Sequence, residues 1–394
     1  MIYLLLALAA ACAAFQSLAL IAAVKHRVRR DPAAHCFPPV SILKPVHGLD
    51  EDFVAAIRSH ALLDYPEYEI LFGSNDPNDP ALDAIRQLAT EFPDRAIRLV
   101  AWGPSGTGLP ACPCLSPQPV GQLMPQSAGT AKNGKVGVLL ELAAAARYPI
   151  LVVNDSDIRV EPDYLQRVVA PLEDPAIGMV TCLYRGRAHT LAGRLEAVGI
   201  ATDFIPGVLV APLVGVSEFA LGSTMAFRAA DLERIGGFGA IRDYLADDYQ
   251  LSRHIRSLGL KVWISKCVVE TSLGSPGWLD AWRHQVRWAR TVRVSRPGGY
   301  VGLPLSNAAL WAALLAACGL WPWAAALYAL RLAVGLTAGL LVLGDRALLC
   351  DAWLIPLRDL AGLAIWAAGL FGKRVVWRGQ RLILQPDGRI VEES

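Results

Sequence analysis

The sequence predicts an α/β protein whose doubly wound, mostly parallel sheet is joined to apolar segments that cross or enter a membrane. Through the middle of the chain, short β-branched apolar runs alternate with stretches of helical periodicity. Before them, Ile2–Val24 carries no charged residue. The composition agrees, because 54% of the 394 residues are hydrophobic and the mean hydropathy is +0.37. That is too apolar for a purely soluble protein and too charged for one that lies wholly in a membrane.

The N-terminal stretch is interpreted as a retained transmembrane anchor, residues 1–30 with its basic flank. As a helix, Ile2–Val24 is about 35 Å long, enough to span a bilayer. A cleaved signal peptide would carry its positive charges before the apolar run. Here the cluster Lys25-His26-Arg27-Val28-Arg29-Arg30 follows it. Because basic residues favour the cytoplasmic side, the domain that follows is expected in the cytoplasm.

Residues 38–301 are predicted to form one catalytic α/β domain. Helical spacing is seen over 50–63, 82–88 and 136–146, and the strands between are predicted at Pro39–Lys44, Tyr68–Gly73, Ala96–Trp102 and Ile150–Val153. Residues 103–132 are rich in proline and glycine, which indicates a mobile functional loop or a disordered insert, and their length favours the insert. Lys135 follows, where it either touches a phosphate at a helix N-terminus or is an ordinary solvated lysine.

The most informative stretch is Ile150–Val160, in which an apolar strand runs into Asn-Asp-Ser-Asp. Open α/β sheets bind ligands at the carboxyl ends of their strands. If the backbone stays extended, Asp155 and Asp157 point to one side. Two such carboxylates suit Mg²⁺ or Mn²⁺ held between the protein and a diphosphate. The alternative is that they only turn the chain and cap a helix near Glu161-Pro162.

Two later stretches carry further candidate groups. Asp247 and Asp248 begin a predicted helix, where an acid either complements the helix dipole or serves as a general base. Arg283, Arg287 and Arg290 share one face of the predicted helix Trp282–Arg293. That basic ridge fits either diphosphate binding or contact with a membrane surface.

A C-terminal membrane region is predicted over residues 305–372, followed by a cytoplasmic tail at 373–394. Pro322 and the pair Arg358-Asp359 interrupt its apolar stretches, which are Ala308–Leu330, Leu332–Gly344 and Ala352–Phe371. A cytoplasmic tail requires an even number of spans after the domain. Two spans and a third, interfacial segment are therefore expected. A further stretch, Ala197–Leu221, is judged too broken for a span and either lines an approach from the bilayer or is a buried loop of the domain.

The charge and the cysteines exclude two other classes of protein. A net charge of +2 gives no bulk attraction to nucleic acid, so none is expected as a partner. The eight cysteines form no C-x-x-C pair, and Cys112 and Cys114 are separated by Pro113 alone. A disulfide framework or a zinc knuckle is therefore not expected. The protein is expected to face a reduced compartment.

Taken in order along the chain, several motifs carry a family resemblance: V-S-I-L-K-P-V at Val40–Val46, Asp76 in N-D-P-N-D-P-A, Asp155 in D-S-D-I-R-V, Asp248 in A-D-D-Y, R-W at Arg287-Trp288 and W-R-G-Q-R-L at Trp377–Leu382. The chain resembles the ceramide glucosyltransferase family, which are membrane-anchored inverting glycosyltransferases with a GT-A fold. Within that family, D-S-D-I-R-V-x-P-D-Y-L, V-T-C-L-Y-R-G, E-R-I-G-G-F and V-V-W-R-G are most similar to the bacterial hopanoid-biosynthesis glycosyltransferases, which implies the bacterial inner membrane.

The resemblance implies roles for four acidic residues. Asp76 matches the aspartate expected to hold the uridine of the donor. Asp155 and Asp157 match a D-x-D motif expected to bind the metal and the diphosphate. Asp248 matches the expected catalytic base.

It also implies donor contacts for three other residues. Arg287 and Trp288 match the R-W of a (Q/R)-x-x-R-W motif, although His284 stands at its first position. Lys135 matches a family lysine in a locally divergent stretch, G-K-V-G-V.

The implied function is transfer of glucose or N-acetylglucosamine from a UDP-sugar to a hydroxyl of a membrane lipid, ceramide or a hopanoid polyol. A metal and Arg287 would neutralise the departing diphosphate, and Asp248 would deprotonate the acceptor. A processive polysaccharide synthase of the same fold is one alternative, but it needs more spans to form a channel. A non-catalytic membrane scaffold is the other, but it would not need the four aspartates together.

Overall fold

A computed structural model describes residues 2–101, 131–377 and 380–393, with the backbone alone for 101 and 377. All but the last two residues of the predicted insert 103–132, and Trp102, lie outside the described residues. The main sheet has eight strands, β1 (Val40–Pro45), β2 (Tyr68–Ser74), β3 (Ala96–Ala101), β4 (Ile150–Val153), β5 (Ile158–Arg159), β6 (Ile177–Arg187), β7 (Met225–Arg228) and β8 (Lys261–Ser272). Their order across the sheet is β3-β2-β1-β4-β7-β6-β8-β5.

The half of the sheet that carries the candidate site is parallel. Val40 of β1 is in register with Tyr68 of β2 and with Ile150 of β4, and β3 continues the parallel order beyond β2. β1, β2 and β4 are buried along their whole length, as expected of strands with helices on both faces. β7 is antiparallel to β4 and β6, whereas β6 and β8 are parallel. The predicted α/β class with a mostly parallel sheet is confirmed.

The helices that cover the sheet and extend from it are α1 (Ile2–Val28), α2 (Phe53–Ala61), α3 (Ala81–Glu91), α4 (Gly134–Ala145), α5 (Tyr164–Val169), α6 (Leu191–Gly199), α7 (Ile205–Val210), α8 (Ala229–Arg234), α9 (Asp247–Ser257), α10 (Trp278–Ser295), α11 (Pro297–Ser306), α12 (Ala308–Ala317), α13 (Trp321–Leu336), α14 (Leu348–Asp351) and α15 (Ile355–Gly369). α4 begins two residues before the predicted helix because the side chain of Asn133 caps it, accepting from the N–H groups of Lys135 and Val136.

Among the described residues, three continuous helices are long and apolar enough to cross a membrane: Ile2–Val28, Leu191–Val214 and Trp321–Val342. The bent pair of α11 and α12, at 47° to each other, is a fourth candidate. The N-terminal anchor and the break near Pro322 agree with the sequence prediction. α12 ends at Ala317, and Gly319, whose φ of +78° favours glycine, lies between it and α13. The number of spans stays a prediction.

The helix Leu191–Val214 corrects the reason given for one sequence interpretation, but not its outcome. The stretch Ala197–Leu221 was expected to be too broken for a span, yet this helix is continuous through Pro206. A proline cannot donate to the carbonyl four residues earlier. The carbonyl of Thr202 instead accepts from Nη1 of Arg331 at 2.8 Å. The helix connects β6 to β7, two strands of one sheet, so a single crossing would place them on opposite sides of a membrane. It therefore does not cross.

Two charged residues of α15 reach neighbouring helices. Asp359 and Arg331 of α13 are each 5% exposed and join at 2.7 Å. Arg358 lies 3.7 Å from Asp203 on the helix Leu191–Val214. The pair Arg358-Asp359, which looked costly in a membrane segment, thus has partners on two different helices.

Residues 373–394 were predicted as a tail, and most of them fold into a small sheet. Its strands are β9 (Arg374–Trp377), β10 (Gln380–Leu384) and β11 (Ile390–Glu392), antiparallel in the order β11-β10-β9. The N–H of Ile390 donates to the carbonyl of Asp243 at 2.8 Å, and the N–H of Leu245 donates to that of Gly388 at 3.4 Å. The tail therefore packs against the chain segment that leads into α9.

Candidate active site

The site is built where β4 ends. Asn154 is fully buried, and its amide donates to the Tyr164 hydroxyl, the Ser223 carbonyl and Thr224 Oγ1 at 2.8–3.1 Å. This network fixes the backbone of Asn154, immediately before Asp155. The chain then turns, since the N–H of Ile158 donates to the Asp155 carbonyl at 3.3 Å. The predicted extended backbone is therefore wrong for these residues.

Asp155 and Asp157 nevertheless lie close together, and both are half-buried. Burial, and then the charge of Asp155, raise the pKa of Asp157 to about 6, while a hydrogen bond from Thr271 Oγ1 and the charge of Lys44 oppose that rise. The alternative that these aspartates cap the next helix is not supported. α5 begins after Asp163, with no side-chain cap.

Lys135 connects this strand end to α9. Its Nζ lies 2.9 Å from Asp155 Oδ1 and 2.9 Å from Asp247 Oδ2. Burial by itself lowers the pKa of the ammonium group, but the two carboxylates outweigh it and the net shift is upward. Lys135 is therefore a protonated cross-link at a helix N-terminus and not a solvated lysine.

Asp248 faces the same space from the other side. Its Oδ1 accepts from the N–H of Tyr249 at 2.7 Å and its Oδ2 from the N–H of Gly222 at 3.1 Å. A Cβ on Gly222 would lie 3.5 Å from Oδ2 of both Asp155 and Asp248, so these two oxygens are no more than about 7 Å apart. Burial and the neighbouring Asp247 raise the pKa of Asp248 to about 6, although Lys135 lowers it.

Asp247 and Asp248 are buried in the opposite order from that which the sequence pattern predicts. Helical spacing places Asp248 on the core side with Leu251 and Ile255, and Asp247 in a more mixed setting. In the structure Asp247 is the buried member, 8% exposed, and Asp248 is half-buried. Asp247 is held by the ammonium of Lys135, whereas no ion pair to Asp248 is formed within the described parts of the chain. Asp248 is thus the more exposed member of the pair, and the one without an ion pair among the described residues.

Lys44 is a site residue that the sequence reasoning missed. It is fully buried at the end of β1, where its Nζ donates to the Asp155 carbonyl at 2.9 Å and lies 3.4 Å from His60 Nε2. Burial lowers the pKa of Lys44 to about 7, although Asp157 and Asp155 oppose this. Burial and Lys44 hold the pKa of His60 well below its usual value, so its Nε2 accepts. The available signal was a lysine inside an otherwise uncharged, buried strand.

The acidic residues after β2 divide into an open and a structural one. Asp79 is buried and accepts from the N–H of Gly48, the hydroxyl of Ser74 and the N–H of Ala81, each at 2.9 Å. Asp76 is exposed, and its Oδ1 accepts from the N–H of Asn78 at 2.9 Å. Because β1, β2 and β4 are adjacent and parallel, Asp76 lies at the same edge of the sheet as Asp155.

An aromatic row extends from the acidic cluster to α10. Trp288 packs 6.1 Å from Phe204, which packs 5.9 Å from Tyr184. Burial, and then the charges of Asp248 and Glu196, hold the pKa of Tyr184 well above its usual value. Tyr184 is therefore close to the candidate base.

His284, the departure from the family motif, pairs with a buried acid. Its Nδ1 lies 2.7 Å from Oε1 of Glu196, a residue of α6 that is 4% exposed, and its ring packs 5.0 Å from Trp288. Glu196 was not singled out from the sequence.

The predicted basic ridge on α10 is not one binding surface. Arg290 donates to the carbonyls of Phe371 at 3.0 Å and Arg374 at 2.6 Å, where it stabilises the chain after α15. Arg283 is exposed beside Asp280. Arg287 is half-buried, next in the chain to Trp288. The structure thus brings together Lys135, the D-S-D aspartates and Asp248, with Asp76, Arg287 and Trp288 on neighbouring elements.

The acidic cluster fits a divalent metal that a substrate helps to hold. No three His, Cys, Asp or Glu side chains among the described residues are placed to hold an ion alone. Asp155 and Asp157 offer carboxylate oxygens close to each other, with Oδ2 of Asp155 near Gly222, and their repulsion favours a cation between them. Mg²⁺ and Mn²⁺ commonly combine one or two carboxylates with substrate phosphates and water.

Comparison with known proteins shows what the chain is similar to. The model of the family described as Glycosyl transferase family 21 matches residues 2–109 and 117–390. Ceramide glucosyltransferase 1 of Caenorhabditis elegans is 26% identical over 287 residues, 72% of this chain and 55% of that protein. Ceramide glucosyltransferase 3 of the same organism is 24% identical over 61% of this chain and 47% of that protein. The chain thus spans about half the length of these curated relatives.

One solved structure shares the fold over most of its length. The mannosyltransferase PcManGT from Pyrobaculum calidifontis, in complex with GDP-Man and Mn²⁺, is 21% identical to the chain and has a TM-score of 0.56. The alignment covers 93% of this chain and 95% of that one. At this identity the similarity shows the GT-A fold and nothing finer.

Proposed function

The chain belongs to glycosyl transferase family 21 and is ceramide glucosyltransferase-like, and from that premise we propose that it transfers a sugar from a UDP-sugar to a hydroxyl of a membrane lipid. The observation that carries the proposal is the convergence of Asp155, Asp248 and Lys135 around Gly222, with Asp157 close to Asp155 and Lys135 bridging Asp155 to Asp247. A membrane scaffold has no need of several buried acids that repel one another. A group transfer from a nucleoside diphosphate requires groups of this kind.

The proposed reaction is one displacement with inversion. Asp248 takes the proton of the acceptor hydroxyl while the oxygen of that hydroxyl forms a bond to the anomeric carbon. The bond from that carbon to the diphosphate breaks, and the electron pair leaves with UDP. The raised pKa of Asp248 suits this work, because a base with a pKa of about 6 is deprotonated at neutral pH and still accepts a proton.

The donor is assigned to the opposite side of the acidic cluster. Asp155 and Asp157 would hold a Mg²⁺ or Mn²⁺ ion, which when bound neutralises charge on the diphosphate. Asp76, open at the same edge of the sheet, is proposed for the uridine. Arg287 and Trp288 are proposed to contact the donor beyond it.

The lipid acceptor is proposed to approach along the helix Leu191–Val214. This helix is apolar, does not cross, and begins beside Glu196 and His284. Phe204 of the same helix packs against Tyr184, and Tyr184 lies close to Asp248. An apolar surface that ends in a polar pair near the base suits a lipid with a hydroxylated head.

The proposed topology places the domain and the tail together in the cytoplasm. Ile390 and Gly388 hydrogen-bond to Asp243 and Leu245, so both segments lie on one side of the membrane. An even number of crossings must then separate them. The bent pair of α11 and α12 with Trp321–Val342 would supply two.

The test is transfer by purified full-length protein with each donor and acceptor varied in turn. UDP-glucose, UDP-N-acetylglucosamine and GDP-mannose are compared, each with ceramide or a hopanoid polyol in detergent micelles and with Mn²⁺ present or chelated. The proposal expects a glycolipid product from a UDP-sugar that is lost on chelation. No product with any acceptor, or a long polysaccharide, would refute it.

A further inference from the structure

The C-terminal sheet β9–β11 is docked on the segment that precedes the candidate base. β11 is an edge strand, and its free edge pairs with residues 243–245 through the hydrogen bonds of Ile390 and Gly388. Side chains add to the contact, because Ile390, fully buried, and Leu245, 7% exposed, belong to one apolar cluster with β9 and β10. This sheet is held to the domain by backbone pairing and by a small core of its own.

Two further contacts make the docking close. The guanidinium of Arg389 lies over the ring of Tyr244, 5.6 Å from its centroid. Gly388 has a φ of +90°, and a Cβ there would come within 3.5 Å of the Tyr244 ring and 3.7 Å of the Gln250 amide. Gln250 is a buried residue of α9, less than one turn after Asp248. The tail thus touches both the entry to α9 and its first turn.

The opposite side of the same segment is held by the lysine-bearing helix. Asn133, which caps α4, donates its amide to the carbonyl of Tyr244 at 2.7 Å, and its N–H donates to the carbonyl of Arg242 at 3.0 Å. Two residues later Lys135 binds Asp247. The segment 242–246 is therefore clamped between α4 and β11.

We propose that the C-terminal sheet is a positioning element of the active site, which sets the start of α9 and with it the carboxylate of Asp248. The inference rests on the proposed role of Asp248 as base. The strands Arg374–Trp377, Gln380–Leu384 and Ile390–Glu392 are then a part of the catalytic unit that follows the membrane region. The donor site, built on β2 and β4, does not depend on this contact.

The test compares two substitutions in neighbouring positions of β11 in the full-length protein. Ile390→Asp places a carboxylate in the apolar cluster and releases the sheet, whereas Val391→Asp adds the same charge at a side chain that is 37% exposed. Ile390→Ala is a milder version, and Ile390→Val a conservative one. A displacement of a catalytic group by about 1 Å costs roughly 100-fold in rate.

We expect Ile390→Asp to lower kcat by roughly 100-fold, with the donor KM within about twofold of wild type. Ile390→Ala should lower it less, and Val391→Asp and Ile390→Val should leave it unchanged. Hydrogen exchange of the amides at 243–250 should accelerate in Ile390→Asp, while β4 keeps its protection.

Three results would overturn the inference: unchanged kcat in Ile390→Asp although its 243–250 amides exchange faster, no faster exchange in that variant, or an equal loss of kcat and donor affinity. A failure of the proposed function is distinguishable, because the wild-type chain itself would then transfer no sugar.

Discussion

Replacing Lys135 by methionine tests the electrostatic design of the site most fully. The ammonium group holds Asp155 and Asp247 at 2.9 Å each, and methionine keeps the volume of the chain without the charge. Removing one partner of a buried pair costs about 3–5 kcal/mol, because the other charge is left uncompensated. Asp155 is 39% exposed and Asp247 11%, so the penalty falls mainly on Asp247 and should lie near 3 kcal/mol. With an unfolding entropy of about 2.1 cal/mol/K per residue, that corresponds in a chain of 394 residues to a fall in Tm of roughly 4 °C.

The same substitution should move the pH dependence of transfer. Asp248 acts as a base only when deprotonated, so activity falls as the pH drops below its pKa of about 6. Because Lys135 lowers that pKa, its loss should raise it and move the acid limb of kcat to higher pH.

The assay is kcat at saturating donor between pH 5 and 9, with thermal unfolding of the same samples. Lys132→Met is the control, since Lys132 is exposed and three residues away. A Lys135→Met variant that melts with wild type and keeps its acid limb would refute the reasoning.

Three other predictions concern the donor, the topology and the membrane helices. Asp155→Asn and Asp157→Asn should fold but lose Mn²⁺-dependent UDP binding in a calorimetric titration, and wild-type affinity in both would remove the metal assignment. A single cysteine at the exposed Asp387, in a cysteine-free background, should be labelled by an impermeant reagent only after cell lysis. Because Asp359 pairs with Arg331 at 2.7 Å, Asp359→Asn should destabilise the protein by about 3 kcal/mol. The double variant Arg331→Met with Asp359→Leu should restore much of that lost stability. A double variant as unstable as the single one would contradict this.

The parallel half of the fold was predictable because its strands are short and buried on both faces. β1, β2 and β4 therefore appear as apolar runs that end in polar residues. Asp76, Asp155 and Asp157 were predictable for the same reason, since they follow strands whose carboxyl ends meet at one edge. β7 and its antiparallel pairing were not, because nothing local distinguishes a strand's direction.

The contacts between distant segments could not be derived from the sequence. Periodicity gave the wrong burial for Asp247 and Asp248, because the partner that buries Asp247 is Lys135, more than a hundred residues earlier. Likewise Pro206 predicted a break in its helix. The helix continues because Arg331, which lies on another helix, donates to the Thr202 carbonyl that Pro206 leaves without its usual donor. Arg290 matched a ligand-binding pattern, but its guanidinium instead stabilises the chain just after α15.

The most direct test of the proposed function compares Asp248→Asn with Asp247→Asn. Removing a general base costs about two to four powers of ten in rate, roughly 3–5 kcal/mol, and leaves donor affinity intact when the base does not hold the nucleotide. Asp248→Asn should therefore bind the UDP-sugar as wild type does and lose transfer to that extent. Asp247→Asn should melt earlier, because Lys135 loses a partner, yet keep a much larger share of transfer. Transfer rates at saturating donor that fall in the reverse order would contradict the assignment of Asp248 as the base.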